Sequence, residues 1–220
     1  MTIKTLLAGP PTGVAAVAGE FETHLTLAAA EAGPALEGWA AGRGLKYTHI
    51  VLARGRTPSQ PMLSWRAEGT YREQLDRAGA VAVALRGDGF GPVRVKVEAA
   101  PWARGVPQAD AEAARLGPEA YFEHHVKVLL DPADRPRLVR AVAGHGAHVS
   151  WNARRADPSG LRQQFVTQRC HGVGLATAGR RLARLTAALT AAGYPPAAVE
   201  REFVVHDSNL AVDDGWLDER

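Results

Sequence analysis

The sequence has little cysteine, little net charge and few aromatic residues. Cys170 is the single cysteine among 220 residues, which excludes an intramolecular disulfide and a cysteine-rich zinc site. The net charge is +3, from 26 basic and 23 acidic residues with histidine counted as neutral. Only 6% of the residues are aromatic, so the basic residues lack the interleaved aromatics of a nucleic-acid-binding surface. The composition therefore does not favour nucleic acid as a partner.

The sequence also lacks a long apolar run. No stretch approaches the ~18 uninterrupted apolar residues of a membrane span. The first residues, MTIKTLLAGPP, do not have the pattern of a secretory signal. Together with the single cysteine, these features are typical of a reducing compartment. We predict a soluble, cytoplasmic protein without a membrane partner, and leave oligomer formation open.

What the sequence does contain is a pattern that occurs twice. FETHLTL at residues 21–27 and FEHHVKV at residues 122–128 both begin Phe-Glu-X-His and continue with alternating apolar and polar residues. Around each copy, the periodicity predicts the same order of strand, helix, strand, strand, helix and strand. This repeat predicts an α+β fold: a tandem duplicated ferredoxin-like chain, βαββαβ twice, with two antiparallel sheets flanking a polar cleft or barrel.

The same periodicity gives boundaries. The predicted parts are an N-terminal arm (1–18) that is loosely attached, a first ferredoxin-like repeat (19–100), a linker (101–118), a second ferredoxin-like repeat (119–208) and an acidic, solvated C-terminal tail (209–220). The predicted strands are 20–27, 46–53, 62–66, 93–99, 121–130, 147–154, 162–170 and 199–206. The predicted helices are 28–42, 70–86, 132–143 and 175–192.

One face of the predicted strands is rich in charged and imidazole side chains. Strand alternation places Glu22 beside His24, and Glu123 beside His125, about 7 Å apart at the backbone. The same face carries Arg94, Lys96, Glu98, Lys127, His148, Ser150, Asn152, Arg154, Thr167, Arg169, Glu200, Glu202 and His206. Because unpaired charges are costly to bury, this pattern favours a polar central site over an ordinary exposed sheet face.

The two Glu-X-His pairs are the candidate catalytic residues: His24, His125, Glu22 and Glu123. In one interpretation they hold a divalent metal, since imidazole and carboxylate ligands suit zinc, iron or manganese. In a second, the histidines act as general acid and base near neutral pH and the glutamates tune them. A third is ligand binding without chemistry. The sequence does not identify a cofactor beyond this possible divalent metal. The candidate substrate-binding residues are Arg94, Lys96, Lys127, His148, Ser150 and Arg154.

Two short motifs resemble those of known families. His24-Leu-Thr-Leu and His148-Val-Ser-Trp each fit the His-apolar-Thr/Ser-apolar motif of the 2H phosphoesterases, although they fall on non-equivalent strands of the two repeats. That resemblance implies paired histidines acting as acid and base on phosphodiesters. Glu20-X-Glu22-X-His24 is similar to the Glu-X-Glu-X-Lys of the triphosphate tunnel fold, with histidine in place of lysine. Both resemblances imply phosphorylated substrates.

We therefore expect a soluble enzyme that acts on a small polar, anionic metabolite, either phosphorylated or carboxylated. The chemistry would be histidine and glutamate acid–base catalysis or metal-assisted catalysis in a cleft between the two repeats, of a hydrolase or phosphoesterase type. One alternative is a 2H-like phosphoesterase. Another is a non-catalytic protein that binds a ligand, or that assembles by pairing its open sheet with another subunit.

Overall fold

The structure, a computed structural model, describes residues 6–7, 13–156 and 161–217, except for the side chains of residues 154–156. Its strands are β1 (Ala18–Leu27), β2 (Lys46–Leu52), β3 (Ser59–Thr70), β4 (Pro92–Ala99), β5 (Tyr121–Leu130), β6 (Ala147–Ala156), β7 (Arg162–His171) and β8 (Ala198–Asp207). Its helices are α1 (Pro34–Ala41), α2 (Tyr71–Gly87), α3 (Asp110–Ala113), α4 (Arg135–Val142) and α5 (Leu175–Ala191).

The predicted order of strands and helices is confirmed in both halves of the chain. The helix predicted at 28–42 is the main difference. A 3-10 turn at Ala29–Glu31 precedes α1, which begins at Pro34. Proline suits the first turn of a helix because its φ is preset and it has no amide hydrogen to satisfy. Gly33-Pro34 therefore starts the helix instead of lying in its middle. Among the described helices, none is long and apolar enough to cross a membrane.

The eight strands form one closed antiparallel barrel in the order β1-β3-β2-β6-β7-β5-β8-β4. The predicted pair of sheets is therefore wrong: the mixed α+β fold has a single antiparallel sheet. The two halves join at two seams, where β2 pairs with β6 and β4 pairs with β8. Pairing removes the unsatisfied strand edges that each half alone would expose. Among the described strands, closure leaves no free strand edge, and the polar sheet face that the sequence offered for pairing with a second subunit lines the inside of the barrel.

The two halves are related by a pseudo-twofold axis that crosses the barrel. β1 is antiparallel to β4, β4 to β8, and β8 to β5, so β1 and β5 run in opposite directions. Positions 22 and 24 correspond to positions 123 and 125. Equivalent residues therefore lie toward opposite ends of the barrel. We call the end marked by Glu22 and Lys127 the open end, and the end marked by Thr26 and Tyr121 the closed end.

The apolar cores lie outside the barrel, between the sheet and the helices. In the first half, α2 packs on β1, β3 and β4 and the core includes Leu25 and Val95. In the second half, α5 packs on α4, β5 and β7, over a core that includes Val126, Val166 and Leu185. Because side chains alternate across a strand, apolar residues that face outward turn their polar neighbours into the barrel.

Segments outside the two repeats also pack on the barrel. Leu6, Val14 and Val17, within the predicted N-terminal arm, are buried in the first core. The described part of that arm is therefore not loosely attached, contrary to the prediction. Within residues 101–118, Val106 and Leu116 are buried in the same core.

Residues 208–217, here called the C-terminal strap, lie across the closed end. Asp213 is buried, so the prediction of a solvated acidic tail is wrong at this position; residues 218–220 lie outside the described part of the chain. The indole Nε1 of Trp216 donates a hydrogen bond to the Val149 carbonyl oxygen at 3.0 Å. Gly215 has a φ of 77° and lies directly against Gly55, where a side chain would strain the backbone. The strap thus forms the floor of the barrel.

Candidate functional site

The barrel encloses a cavity of about 240 Å³, which is lined by side chains from all eight strands. At the open end it shares its rim with a groove of about 590 Å³. Both linings include Glu22, Arg66, Glu98, Glu200 and Glu202. His24 and His125 both face the cavity, so the two predicted histidines share one site.

In the first half, β1 and β3 build a unit of four polar side chains. The strand register places Glu22 opposite Arg66 and His24 opposite Ser64. Arg66 Nε donates to Glu22 Oε2 at 2.7 Å. His24 Nδ1 lies 2.7 Å from Ser64 Oγ. A carboxylate–arginine pair and a hydroxyl–imidazole pair thus lie side by side on the barrel wall.

The second half builds the equivalent unit from β5 and β7. The register places Glu123 opposite Arg169 and His125 opposite Thr167. Arg169 Nε donates to Glu123 Oε1 at 2.5 Å, and His125 Nδ1 lies 2.9 Å from Thr167 Oγ1. The Glu-X-His repeat therefore corresponds to a repeated contact pattern. In each half, the glutamate and histidine of the first strand contact the arginine and the Ser/Thr hydroxyl of a Ser/Thr-X-Arg motif on the third strand.

A continuous chain of buried charges links the two histidines. His24 Nε2 lies 2.7 Å from Glu98 Oε2, and Lys96 Nζ lies 2.5 Å from the other oxygen of Glu98. Lys96 also pairs with Glu123, and His125 Nε2 lies 3.2 Å from that carboxylate. Each buried charge therefore has an opposite partner, which offsets the cost of its desolvation.

A second ion cluster lies at the closed end. Arg94 pairs with Asp207 and, at 3.0 Å, with Asp213 of the strap. Arg169 Nη2 donates to Asp213 at 2.8 Å, and the Tyr121 hydroxyl donates to Asp207 at 3.1 Å. Arg94, a predicted substrate-binding residue, is thus already neutralised by the chain's own carboxylates. Lys96 is neutralised in the same way by the two glutamates described above.

The position of Asp207 depends on an irregularity in the sheet. The register between β4 and β8 shifts between Val97 and Glu98, and such a bulge re-aims the side chains that follow it. Asp207 consequently meets Arg94 inside the barrel. His206, which simple alternation placed on the same face as Glu202, instead points outward, where its Nε2 lies 3.0 Å from the Leu6 carbonyl oxygen.

Glu98 and Glu202 occupy equivalent positions but have opposite electrostatic surroundings. Glu98 lies opposite Glu22 and Glu202 lies opposite Glu123 in the two halves. Burial, reinforced by the negative charge of Glu98, raises the pKa of Glu202 to about 8. Burial acts on Glu98 as well, but the positive charge of Lys96 and the interaction with the His24 ring lower the pKa of Glu98 to about 2. Near neutral pH, Glu98 is ionised and Glu202 carries a proton.

His125 is the cation beside Glu202. Burial alone would lower the pKa of His125, but its hydrogen bond to Glu123 and the charges of Glu123 and Glu202 raise that pKa to about 9. The His125 Nε2 atom lies 3.5 Å from Glu202 Oε2. Two groups that carry a proton near neutral pH therefore lie next to each other on the cavity wall.

The remaining predicted residues have varied positions. Lys127 pairs with Glu200 at 2.6 Å, and Ser150 lines the cavity. His148 is not part of the lining; its ring lies 5.8 Å from that of Trp216, measured between centroids. The structure therefore does not bring His24 and His148 together in the cavity, as a pair of the 2H phosphoesterase kind requires. The side chain of Arg154 lies outside the described part of the chain.

The four predicted metal ligands do not converge on one point. Glu22 pairs with Arg66, and His24 binds Glu98. The ligand atoms that lie within 4.8 Å of one another belong to Glu98, Glu123 and His125. Two carboxylates and an imidazole suit a divalent metal. However, the Lys96 ammonium already contacts both carboxylates, and their charges raise the pKa of Lys96 in spite of its burial. A metal here has to displace that ammonium.

Replacement of Lys96 tests the metal interpretation. Lys96→Met leaves Glu98 and Glu123 without their shared cation, so we expect the variant to lose about 3–5 kcal/mol of stability. MnCl2 or ZnCl2 should then raise the Tm of Lys96→Met and leave the wild-type Tm unchanged, with EDTA reversing the effect. Lys46→Met, at an exposed lysine that also lines the cavity, is the control. A metal-dependent rise in the wild-type Tm would contradict the assignment of Lys96 as the resident cation.

Sequence reasoning missed several members of the site. The alternation of polar residues does not point to Ser64 or Arg66, although Ser-X-Arg at 64–66 and Thr-X-Arg at 167–169 form a second repeat with an offset of 167 − 64 = 103 residues. That repeat was a usable sign of the two cross-strand units. Asp213 had no such sign, because it reaches the cavity from outside the repeats.

Comparison with known proteins adds little. No protein-family model matches the sequence, and no curated protein matches it either. Among solved structures, the regulatory subunit of aspartate kinase from Thermus thermophilus is 18% identical, with 82% of this chain and 97% of that chain covered and a TM-score of 0.30. The acetolactate synthase small subunit from Thermotoga maritima is 12% identical, with coverage of 84% and 94% and a TM-score of 0.31. These scores are too low to support an inference about function.

Proposed function

We propose that this protein is an enzyme that acts on a small polar, anionic metabolite inside the barrel by acid–base catalysis. The observation that carries the proposal is the contrast between Glu98 and Glu202. Equivalent carboxyl groups on one cavity wall are held in opposite protonation states, one beside a lysine and the other beside an imidazolium. Pairs of titratable groups pushed apart in this way are typical of acid–base sites.

Glu202 is the proposed proton donor. Its carboxyl group faces both the cavity and the groove at the open end, and a pKa of about 8 suits a general acid near neutral pH. In the step we envisage, the carboxyl proton of Glu202 passes to a substrate oxygen on which negative charge develops. The glutamate carboxylate left behind is then stabilised by the adjacent His125 imidazolium, whose Nε2 lies 3.5 Å away.

The two histidines differ in what they can do. Both ring nitrogens of His24 are engaged, by Ser64 and by Glu98, which supports a positioning role for His24 on the wall. His125 has Thr167 on one nitrogen and faces Glu123 and Glu202 with the other, which supports a part in the proton transfer. Ser64 and Thr167 are themselves buried, so their hydroxyl groups serve to orient the rings.

A substrate panel tests this proposal. Small phosphomonoesters, phosphodiesters, phosphoanhydrides, hydroxy acids and oxo acids are each incubated with the protein, and phosphate release and solvent-deuterium exchange are followed by NMR. We expect turnover or exchange with at least one class, and its loss in Glu202→Gln. Binding of several of these compounds without turnover or exchange of any would instead support a ligand-binding protein.

A further inference from the structure

The two arginines of the repeated unit use their Nε atoms identically. Arg66 Nε donates to Glu22 at 2.7 Å, and Arg169 Nε donates to Glu123 at 2.5 Å. Under the pseudo-twofold, Arg66 lies toward the open end and Arg169 toward the closed end. In both arginines the terminal Nη atoms can bind a further partner. The two ends of the barrel differ in whether the chain supplies that partner.

At the closed end that partner is a carboxylate supplied by the strap. Arg169 Nη2 donates to Asp213 Oδ2 at 2.8 Å, and Arg94 Nη2 lies 3.0 Å from the same oxygen. Gln60 Nε2 donates to Asp213 Oδ1 at 3.1 Å. Asp213 belongs to the 3-10 turn Leu210–Asp213, outside the barrel strands. A carboxylate from outside the wall thus fits between an arginine of β7 and a glutamine of β3.

At the open end the equivalents of Arg169 and Gln60 are present. Ala198 occupies the position equivalent to Arg94, and no described segment supplies a counterpart of the Asp213 carboxylate. The 103-residue offset that relates Ser64 to Thr167 also relates Gln60 to Gln163, which lines the cavity on β7. The Nη atoms of Arg66 and the side-chain amide of Gln163 form no hydrogen bond within the described part of the chain. The Arg66 side chain is 75% exposed, whereas that of Arg169 is 8% exposed.

We propose that Arg66 and Gln163 bind a carboxylate group of the ligand, in the manner in which Arg169 and Gln60 bind Asp213. This assignment rests on the proposed function and narrows its anionic metabolite to a carboxylic acid. Asp213 shows the geometry that the repeated unit accepts: the arginine donates to one carboxylate oxygen while the glutamine amide donates to the other.

The charges around the open end favour a ligand with one negative charge over a ligand with two. Glu22 already accepts from Arg66, and Glu200 and Glu202 line the same rim. A phosphate dianion would meet this group of carboxyl side chains. Lys127 is paired with Glu200, and His125 with Glu123 and Glu202. Arg66 and the exposed Lys46 are then the remaining cations to balance it. A carboxylate carries half that charge, and it can accept a charge-assisted hydrogen bond from Arg66 with one oxygen and a hydrogen bond from Gln163 with the other. The cavity volume of about 240 Å³ restricts the ligand to a small molecule.

Binding of simple anions to the full-length protein tests the assignment. Acetate and glycolate should raise the wild-type Tm saturably, beyond sodium chloride of equal ionic strength, and inorganic phosphate should raise it less. Arg66→Gln should weaken glycolate binding about 10-fold or more, measured by calorimetry, with a smaller loss for Gln163→Leu. Arg72→Gln, at an exposed arginine of α2, is the control and should bind as wild type does.

A second arm tests Asp213 as the model for the ligand. Asp213→Ala removes the strap carboxylate, so acetate should raise the Tm of this variant more than that of the wild type. If Asp213→Ala fails to fold, Asp213→Asn carries the same comparison. Tighter binding of phosphate than of glycolate, or full glycolate binding by Arg66→Gln, would overturn the assignment. The acid–base proposal is tested separately by the turnover of Glu202→Gln. Loss of turnover with intact glycolate binding supports that proposal. Unchanged turnover contradicts it and leaves the carboxylate assignment standing.

Discussion

Glu123→Ala is expected to lower the free energy of unfolding by about 3–5 kcal/mol, because it leaves buried cations without their partner. Glu123 is buried and contacts Lys96, Arg169 and His125. For a chain of this length each kcal/mol corresponds to about 2–4 °C of Tm, so thermal denaturation should show a fall of roughly 6–20 °C.

The pH dependence gives this loss a signature. Burial opposes ionisation of Glu123, but Arg169 and Lys96 hold its pKa well below the ordinary value. A depressed pKa means that the carboxylate stabilises the folded state above the ordinary pKa and ceases to do so as the pH falls. The difference in stability between the wild type and Glu123→Ala should therefore narrow in acid.

The matched control is Glu200→Ala. Glu200 also lines the cavity and pairs with one lysine, but its side chain is 41% exposed, so its pair with Lys127 should contribute at most about 1 kcal/mol. Equal losses of unfolding free energy in Glu123→Ala and Glu200→Ala would show that burial does not determine how much an ion pair of this network stabilises the fold. The double variant Lys96→Met/Glu123→Leu should recover part of the stability, since replacing a buried ion pair by apolar residues is often tolerated.

Glu202→Gln is expected to reduce turnover about 10²–10⁴-fold, the usual contribution of a positioned general acid. Glutamine keeps the size of the side chain and can still donate a hydrogen bond, but it has no proton to transfer. The initial rate on whichever substrate class the panel identifies measures the loss. Glu119→Gln, at an exposed glutamate outside the cavity, should retain the wild-type rate.

The pH–rate profile identifies Glu202 more specifically than the rate does. Because the proposed acid must be protonated, wild-type turnover should fall as the pH rises through about 8, the pKa of Glu202. The positive charge of His125 lowers the pKa of Glu202, so His125→Gln should move this basic limb to higher pH in whatever activity remains. A limb that does not move in His125→Gln would contradict the pairing of the two residues.

Stability gives the same information without a substrate. The folded-state pKa of Glu202 lies above its ordinary value of 4.5, so its neutral form stabilises the fold. That contribution is present below the ordinary pKa and is lost as the pH rises through about 8. Wild type should therefore lose stability over this range relative to Glu202→Gln, as measured by urea unfolding at several pH values. A constant difference between the two proteins would contradict the raised pKa.

Local pattern was enough to find the elements and the duplication. Alternation in FETHLTL and FEHHVKV marks β1 and β5, and each strand was recognised because one face packs on helices while the other is polar. The broken helix near Pro34 shows where pattern alone failed, since apolar periodicity continues through a residue that starts a new helix. The pairing of edge strands could not be predicted from the sequence either. Backbone hydrogen bonds join β2 to β6 and β4 to β8, and no side-chain pattern marks these pairs.

The candidate site divides in the same way. His24 and His125 do face one cavity, as the matched Glu-X-His pairs led us to expect. Their partners could not be read from the same strands, because Ser64, Glu98 and Glu202 reach them across the sheet. Arg94 and Lys96 look like free cations in the sequence, and only their burial against carboxylates shows that they are internal counter-ions.

A duplicated α+β chain with polar faces on its strands can be predicted from the residues alone, because strand and helix periods depend on neighbouring residues. Long-range strand pairing closes these faces into a single barrel and places equivalent residues toward opposite ends of it. The same folding puts Asp213 into one end, while Arg66 and Glu202 face the other. These outcomes depend on long-range pairing and on the relative burial of charges, and neither is encoded in the spacing of residues along the chain.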